Sequence, residues 1–210
     1  MSVASILAAG LLACAAPAPH LARSTQTVTV TAGPGATTGR LELWERRGSC
    51  WRRVLGPWRA HVGRGGISPR KREGDGATPA GVFRLGGTVY GLDPDPGLRL
   101  RYVRLRCGDW WDEDPASRTY NRFRRLGCGA RPAFGGGSEA LWRATTAYRE
   151  LAVVDYNTAP VVPGRGSAIF LHDDLGHATN GCVSLPRPLL LRLLRRLRPA
   201  AHPRIAIRAS

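Results

Sequence analysis

Apolar and polar residues alternate in three early stretches: QTVTVTA around Val28 and Val30, RLELWE around Leu41 and Leu43, and CWRRV. A period of two puts one set of side chains on one side of a pleated strand, so each stretch predicts a short strand with a buried face. Gly-rich turns separate them. Farther on, LAVVDY and SAIFLH are continuous apolar runs of strand length, the pattern of strands covered on both faces, and His172 ends the second. The closing RIAIR alternates again. Two stretches change period. Residues 139–151, EALWRATTAYREL, bring Leu141, Ala144 and Tyr148 to one side behind Ser138 as a cap, which predicts a helix. A second helix is expected after Ser184 as cap, with Pro186 and Pro188 in its first turn and Pro199 as its stop. Its leucines at 190, 193, 194 and 197 form a buried stripe, and Arg192, Arg195, Arg196 and Arg198 a solvated face. The pattern is that of a mainly β fold, a β-rich α+β domain with one or two helices.

Length and composition narrow this picture. A chain of 210 residues suits one domain at 25–210 behind a leader at 1–18. The net charge of +16 comes almost wholly from arginine, Lys71 being the only lysine, and a charge of that sign favours a polyanion. No zinc-finger spacing, basic heptad helix or Walker loop accompanies it, so anionic cell-wall polymers are expected rather than nucleic acid. Residues 3–12, VASILAAGLL, form an apolar run of signal-peptide length followed by small residues, which predicts export to the cell envelope or beyond. The run is too short for a stable membrane span. Cys14 after LLA loosely resembles a lipoprotein box and suggests a lipid anchor. Cys107 and Cys128 flank a turn-rich loop, and a disulfide between them would be worth about 3 kcal/mol. Cys50 is then left over as a buried apolar side chain.

The densest set of reactive side chains lies in residues 167–185, SAIFLHDDLGHATNGCVSL, with His172, Asp173, Asp174, His177 and Cys182. Cysteine attacks carbonyl carbon as thiolate, so it needs a lowered pKa or a neighbouring base. His172 is the candidate base. Cys182 stands just ahead of the expected second helix, whose dipole would favour a thiolate. Gly181 lets the backbone of the TNGC turn approach a developing oxyanion. Elsewhere, Glu73 and Asp75 could be read as a glycosidase pair but fit a turn better, and Trp110 and Trp111 could stack on a sugar or fill the core.

The stretch AIFLH with ATNGCVSLP resembles the signature of the L,D-transpeptidase catalytic domain family. KREGDGATPAGVFRL at 71–85 resembles the same family's upstream block, and DWWDEDPASRTYNRF a segment found between the two in its shorter, single-domain branch. The resemblance implies an L,D-transpeptidase-like β-sandwich or barrel. It further implies Cys182 as nucleophile, His172 as general base, an oxyanion turn of Thr179, Asn180 and Gly181, and Asp173 or Asp174 orienting the histidine. The implied reaction forms a cysteine thioester with a peptidoglycan stem peptide and passes the acyl group to a second stem, with no metal or organic cofactor. Many members carry a second His before the Gly-Cys pair and an Arg or Asn two residues after the cysteine, where this chain has Asn180 and Ser184. The gap between His172 and Cys182 is also short. A carboxypeptidase using water as acceptor, a zinc-binding hydrolase using His172, His177 and Cys182, and a non-catalytic wall-binding module are the alternatives.

Overall fold

The computed structural model describes residues 17, 18, 21 and 23–210, so Cys14 and most of the expected leader lie outside the described residues. Strands β1 (Gln26–Ala32), β2 (Thr38–Arg47) and β3 (Cys50–His61) form the antiparallel start, where the alternating pattern placed them. A short parallel pair follows, β4 (Ile67–Ser68) with β5 (Thr78–Pro79), and then the long β6 (Gly81–Gly91) and β7 (Tyr102–Arg104). Strands β8 (Asp109–Asp112), β9 (Arg122–Arg125) and β10 (Glu139–Ala140) make a small separate sheet. The chain ends with β11 (Leu151–Val154), β12 (Phe170–Asp173), β13 (Val183–Leu185), the helix α1 (Arg187–Arg196) and β14 (Arg204–Ala209).

The large sheet runs β11-β12-β13-β3-β2-β1-β14-β6-β7, and a further β6–β11 pairing closes it on itself. Pairing is antiparallel except at β1–β14, β12–β13 and β6–β7, so the mainly β fold expected from the pattern is the one observed. Alternation along the strands sorts their side chains into two cores. Leu171, Val183 and Leu185 join Val28, Val30, Leu41 and Leu43 in the main core. Their neighbours Phe170 and Cys182 face a second cluster with Trp111, Leu141 and Tyr148 beneath the small sheet. Trp111 therefore fills core, while Trp110 is half-buried against Phe134 and Trp142.

The leucine stripe of α1 behaves as its spacing predicts, with Leu190, Leu193, Leu194 and Leu197 fully buried in the main core. Each such side chain contributes about 1.5–3 kcal/mol. Two local expectations fail. Ser184 is no cap: it lies in β13, between His61 of β3 and His172 of β12, and Pro186 precedes the helix without a side-chain cap bond. Residues 139–151 form no α-helix. Glu139 and Ala140 pair with Trp111 and Trp110, residues 141–143 make one 3-10 turn, and Leu151 begins β11. Ser138 cannot cap there because its hydroxyl already donates to Gly135 O and accepts from Glu113 N. Sheet pairing thus overrides a modest propensity weakened by β-branched Thr145 and Thr146.

Cys107 and Cys128 are joined in a disulfide. Cys50 is also disulfide-bonded, which corrects its reading as a leftover buried thiol. Among the described residues no helix is long and apolar enough to cross a membrane.

Candidate functional site

The parallel register of β12 and β13 sets His172 beside Ser184. Cys182 is two positions earlier on its own chain and on the same side, as Phe170 is to His172. Cys182 is therefore level with Phe170, whose N–H donates to Sγ at 3.4 Å. Both Cys182 and His172 line one cavity of about 180 Å³, with Glu139, Ala147, Tyr148, Leu175, His177, Ala178, Thr179, Asn180 and Ser184 completing its wall. The two reactive groups are themselves almost closed off, at 9% and 6% exposure. Leu175, 46% exposed, stands at the lip.

The imidazole has a fixed tautomer. Its Nδ1 lies 2.7 Å from the Asp173 carbonyl oxygen, which can only accept, so Nδ1 carries the proton and Nε2 keeps its lone pair. Tyr148 meets the ring edge to face at 5.6 Å. Burial pulls the His172 pKa below its ordinary value, against the opposing pull of the Asp173 carbonyl and the Asp174 charge, and so favours the neutral base.

The thiol is neutral as well. Burial pushes its pKa well up, and the nearby Glu139 and Glu113 carboxyls push further. Its proton is directed to the Ala168 carbonyl, with Sγ to O at 3.2 Å. This corrects the expectation of a dipole-stabilised thiolate: β13 intervenes between Cys182 and α1, so the helix N-terminus does not reach the sulfur. Ala168 itself sits at φ 50°, and its N–H is held at 3.1 Å by Asn121 Oδ1. Asn121 also accepts from Trp111 Nε1 and donates to the carbonyls of Tyr156 and Asn157. Its place in TYNRF gave no sign of this.

The Thr179–Asn180–Gly181 turn is strapped to the rest of the domain. Thr179 N–H donates to Val62 O, Arg64 N–H donates to Thr179 O, and Thr179 Oγ1 donates to Cys182 O at 2.7 Å. The Gly181 N–H is spent on Thr179 Oγ1 at 3.1 Å, so this amide is not free for an oxyanion. Asn180 is exposed, lines the cavity, and turns its Oδ1 toward Arg64, which leaves the Nδ2 donor.

Neither aspartate orients His172 through its carboxylate. Asp173 Oδ2 accepts from Glu150 N–H, Oδ1 is buried without a partner, and burial together with the Glu150 charge lifts the Asp173 pKa to about 7. Only its carbonyl serves the histidine. Asp174 Oδ1 instead accepts hydrogen bonds from His61 Nδ1 and Ser184 Oγ, each at 2.8 Å. These two bonds outweigh burial and hold the Asp174 carboxyl below the usual range. His61 was not anticipated, because β3 meets β13 only through long-range pairing.

Three half-buried carboxyls, Glu139 of the cavity wall with Glu73 and Glu113, form a further set. Tyr148 donates to Glu139, and Tyr120 and Ser167 both donate to Glu73. Burial, with the charges of Glu139 and Glu73, raises Glu113 to about 9. Asp75 shapes the turn instead, accepting from Lys71 Nζ and from the amides of Arg72 and Ala77. Among the described residues no group of three or more His, Cys, Asp or Glu is placed to hold a metal ion.

Comparison with protein families adds the deciding observation: the model of the L,D-transpeptidase catalytic domain, YkuD, matches residues 36–205. The chain belongs to this family. The match takes in β2 to β13, the cavity and α1, and leaves β1 and most of β14 outside it. Among solved structures, the helical cell shape determining protein Pgp2 from Campylobacter jejuni is similar at 15% identity and TM-score 0.45. A lysine-to-alanine mutant of the same protein is similar at 12% identity and TM-score 0.43. Each alignment covers 88% of this chain and 48% of the Pgp2 chain, so the chain spans about half the length of these neighbours. No curated protein sequence matches the chain.

Proposed function

We propose that the chain is an exported cysteine-dependent L,D-transpeptidase, with Cys182 as nucleophile and His172 as general base. The observation that carries this reading is a neutral imidazole with a free Nε2 lining the same cavity as Cys182, the one free cysteine among the described residues. Family membership supplies the substrate class, a peptidoglycan stem peptide. The apolar run at residues 3–12 supports export.

Because the resting pair is thiol and imidazole, proton transfer accompanies attack rather than preceding it. Substrate turns the S–H from the Ala168 carbonyl toward Nε2. The sulfur adds to the stem carbonyl as Nε2 takes the proton, and the oxyanion is met by the Asn180 amide and the Cys182 N–H. The C–N bond then breaks, the imidazolium protonates the departing D-amino acid's nitrogen, and a thioester remains. An acceptor amine attacks, His172 takes its proton, and the sulfur leaves and is reprotonated. The cavity wall contains Glu139 and neither Arg nor Lys, which favours an amine over a carboxylate as the group that enters second.

The test is intact mass after incubation with a carbapenem, followed by product analysis with tetrapeptide stems. Wild type should gain one covalent adduct and Cys182→Ala none, and tetrapeptide donors should give cross-linked dimers. Tripeptide without dimer would assign the hydrolytic reaction to the same residues. A wild type that gains no adduct refutes the cysteine mechanism.

A further inference from the structure

A second cavity, distinct from the one at Cys182, is about three times its volume. It measures about 540 Å³ and lies where β6 meets β14, lined by Arg23, Arg84, Arg101, His202 and Arg204 over an apolar floor that includes Leu85 and Leu100. It shares no residue with the Cys182 cavity, which is built on β12 and β13.

Two features separate this cavity from a general basic surface. Its walls are fixed: Leu85 N–H donates to Pro203 O, Val89 N–H to Arg101 O, and His202 N–H to Pro199 O. His202 is held at φ 47°, a conformation that non-glycine residues rarely adopt. Gly86 at φ 70° leaves room that a Cβ would take from Leu100, 2.7 Å away. The second feature is the convergence of four arginines on one concave wall. Outside the cavity some arginines close on carboxylates, as Arg196 and Arg198 do on Glu45, Arg187 on Glu150 and Arg125 on Asp109, while many on the open surface do not. Of the four cavity arginines only Arg84 has such a partner, Asp155 at 3.6 Å, and that contact is long. Arg23, Arg101 and Arg204 make no ion pair among the described residues, although the charge of Arg204 as well as that of Arg84 acts on Asp155. Guanidiniums around a concave, low-dielectric wall focus positive potential into it and draw a multiply charged anion.

We propose that this cavity binds a phosphodiester oligoanion, in which charged phosphates alternate with short carbon segments. Guanidinium forks match the paired non-bridging oxygens of a phosphate, and a phosphodiester stays ionised across the pH range of a cell envelope. The apolar floor between the arginines suits the uncharged segments that separate the phosphates. Such a ligand is presented either by a soluble polyol-phosphate chain or by the headgroups of an anionic lipid. Bound here, it would hold the enzyme in place without occupying the Cys182 cavity.

The experiment measures affinity of the full chain for a defined glycerol-phosphate oligomer by calorimetry at about 0.15 M salt. Vesicles of phosphatidylglycerol form a parallel arm, and polyglutamate of equal charge is the comparison. Arg84→Gln/Arg101→Gln should weaken binding about tenfold or more, as expected from losing charge-assisted hydrogen bonds. Arg47→Gln/Arg52→Gln, on the exposed end of the β2–β3 hairpin, removes the same charge and should change it less than twofold. Loss confined to the oligomer arm assigns a soluble polymer, and loss confined to vesicles assigns a lipid headgroup. Equal loss in both double variants, equal affinity for polyglutamate, or no binding of either phosphate probe overturns the proposal. Carbapenem adduct formation should be unchanged in both variants, so failure here is distinct from failure of the catalytic reading.

Discussion

Replacing Gly181 with alanine tests whether the turn before Cys182 is as tightly specified as its surroundings imply. The residue sits at φ 137°, and a Cβ there would lie 2.9 Å from Ala77 O and 3.3 Å from Ile169 Cδ1. The backbone carbonyl cannot yield freely. Ala77 is fixed by its N–H bond to Asp75 Oδ1, and the adjacent Thr78 hydroxyl bonds Cys182 O while accepting from Gly63 N–H. Holding an alanine in that backbone region costs about 1–3 kcal/mol. Crowding against a fixed carbonyl adds about another 1 kcal/mol, in line with other overpacked sites. At about 2–4 °C per kcal/mol for a domain of this size, the Tm should fall by about 5–15 °C. Because the clash is relieved by moving the turn, Cys182 moves too, and a shift near 1 Å should slow carbapenem acylation about 100-fold. Calorimetry and time-resolved intact mass read the two effects. Gly87→Ala is the control, since its Cβ would meet nothing within 4 Å. A Gly181→Ala protein that melts within a degree of wild type and acylates at the wild-type rate would refute the reasoning.

Three further outcomes follow from the same geometry. Since burial lowers the His172 pKa, the base stays neutral as pH falls through 6.5, so acylation should persist there and be lost only at lower pH. A stopped-flow acylation profile with its acid midpoint above 6.5 would contradict this. Asp174 has a depressed pKa, so its bonds to His61 and Ser184 stabilise the fold above its unfolded value and are lost as pH falls through the lower folded one. Asp174→Asn should therefore cost about 1–3 kcal/mol in urea melts at pH 7, and the cost should decline as pH falls below 3.8. Cys182 should alkylate with iodoacetamide far more slowly at pH 7.5 than a free cysteine, which is about one-tenth thiolate there. Equal rates would mean that burial does not raise the thiol pKa, and would refute the neutral resting state.

Six strands of the main sheet, β1, β2, β3, β11, β12 and β14, were legible because their apolar pattern is a local property: Val28, Val30, Leu41 and Leu43 reach the core whichever strands they pair with, whereas β6, β7 and β13 carried no such signal. The nucleophile and base candidates were legible for a similar reason, since His172 and Cys182 are close in sequence and β12 and β13 pair in parallel across a short loop. Register decides the rest, and no window of sequence contains it. Residues 139–151 have helical spacing, yet Glu139 is drawn into pairing with Trp111 and then supplies the carboxyl that faces the thiol. Ser184 looks like a cap in isolation, but its place between His61 and His172 makes it a strand residue and removes the helix dipole from the sulfur. His61 and Asn121 come from β3 and from the turn just before β9, far along the chain from the residues they serve. The residues that would react were readable one at a time. Their protonation was not, because it depends on how completely the small sheet covers the outer face of β12, and that cover consists entirely of long-range contacts.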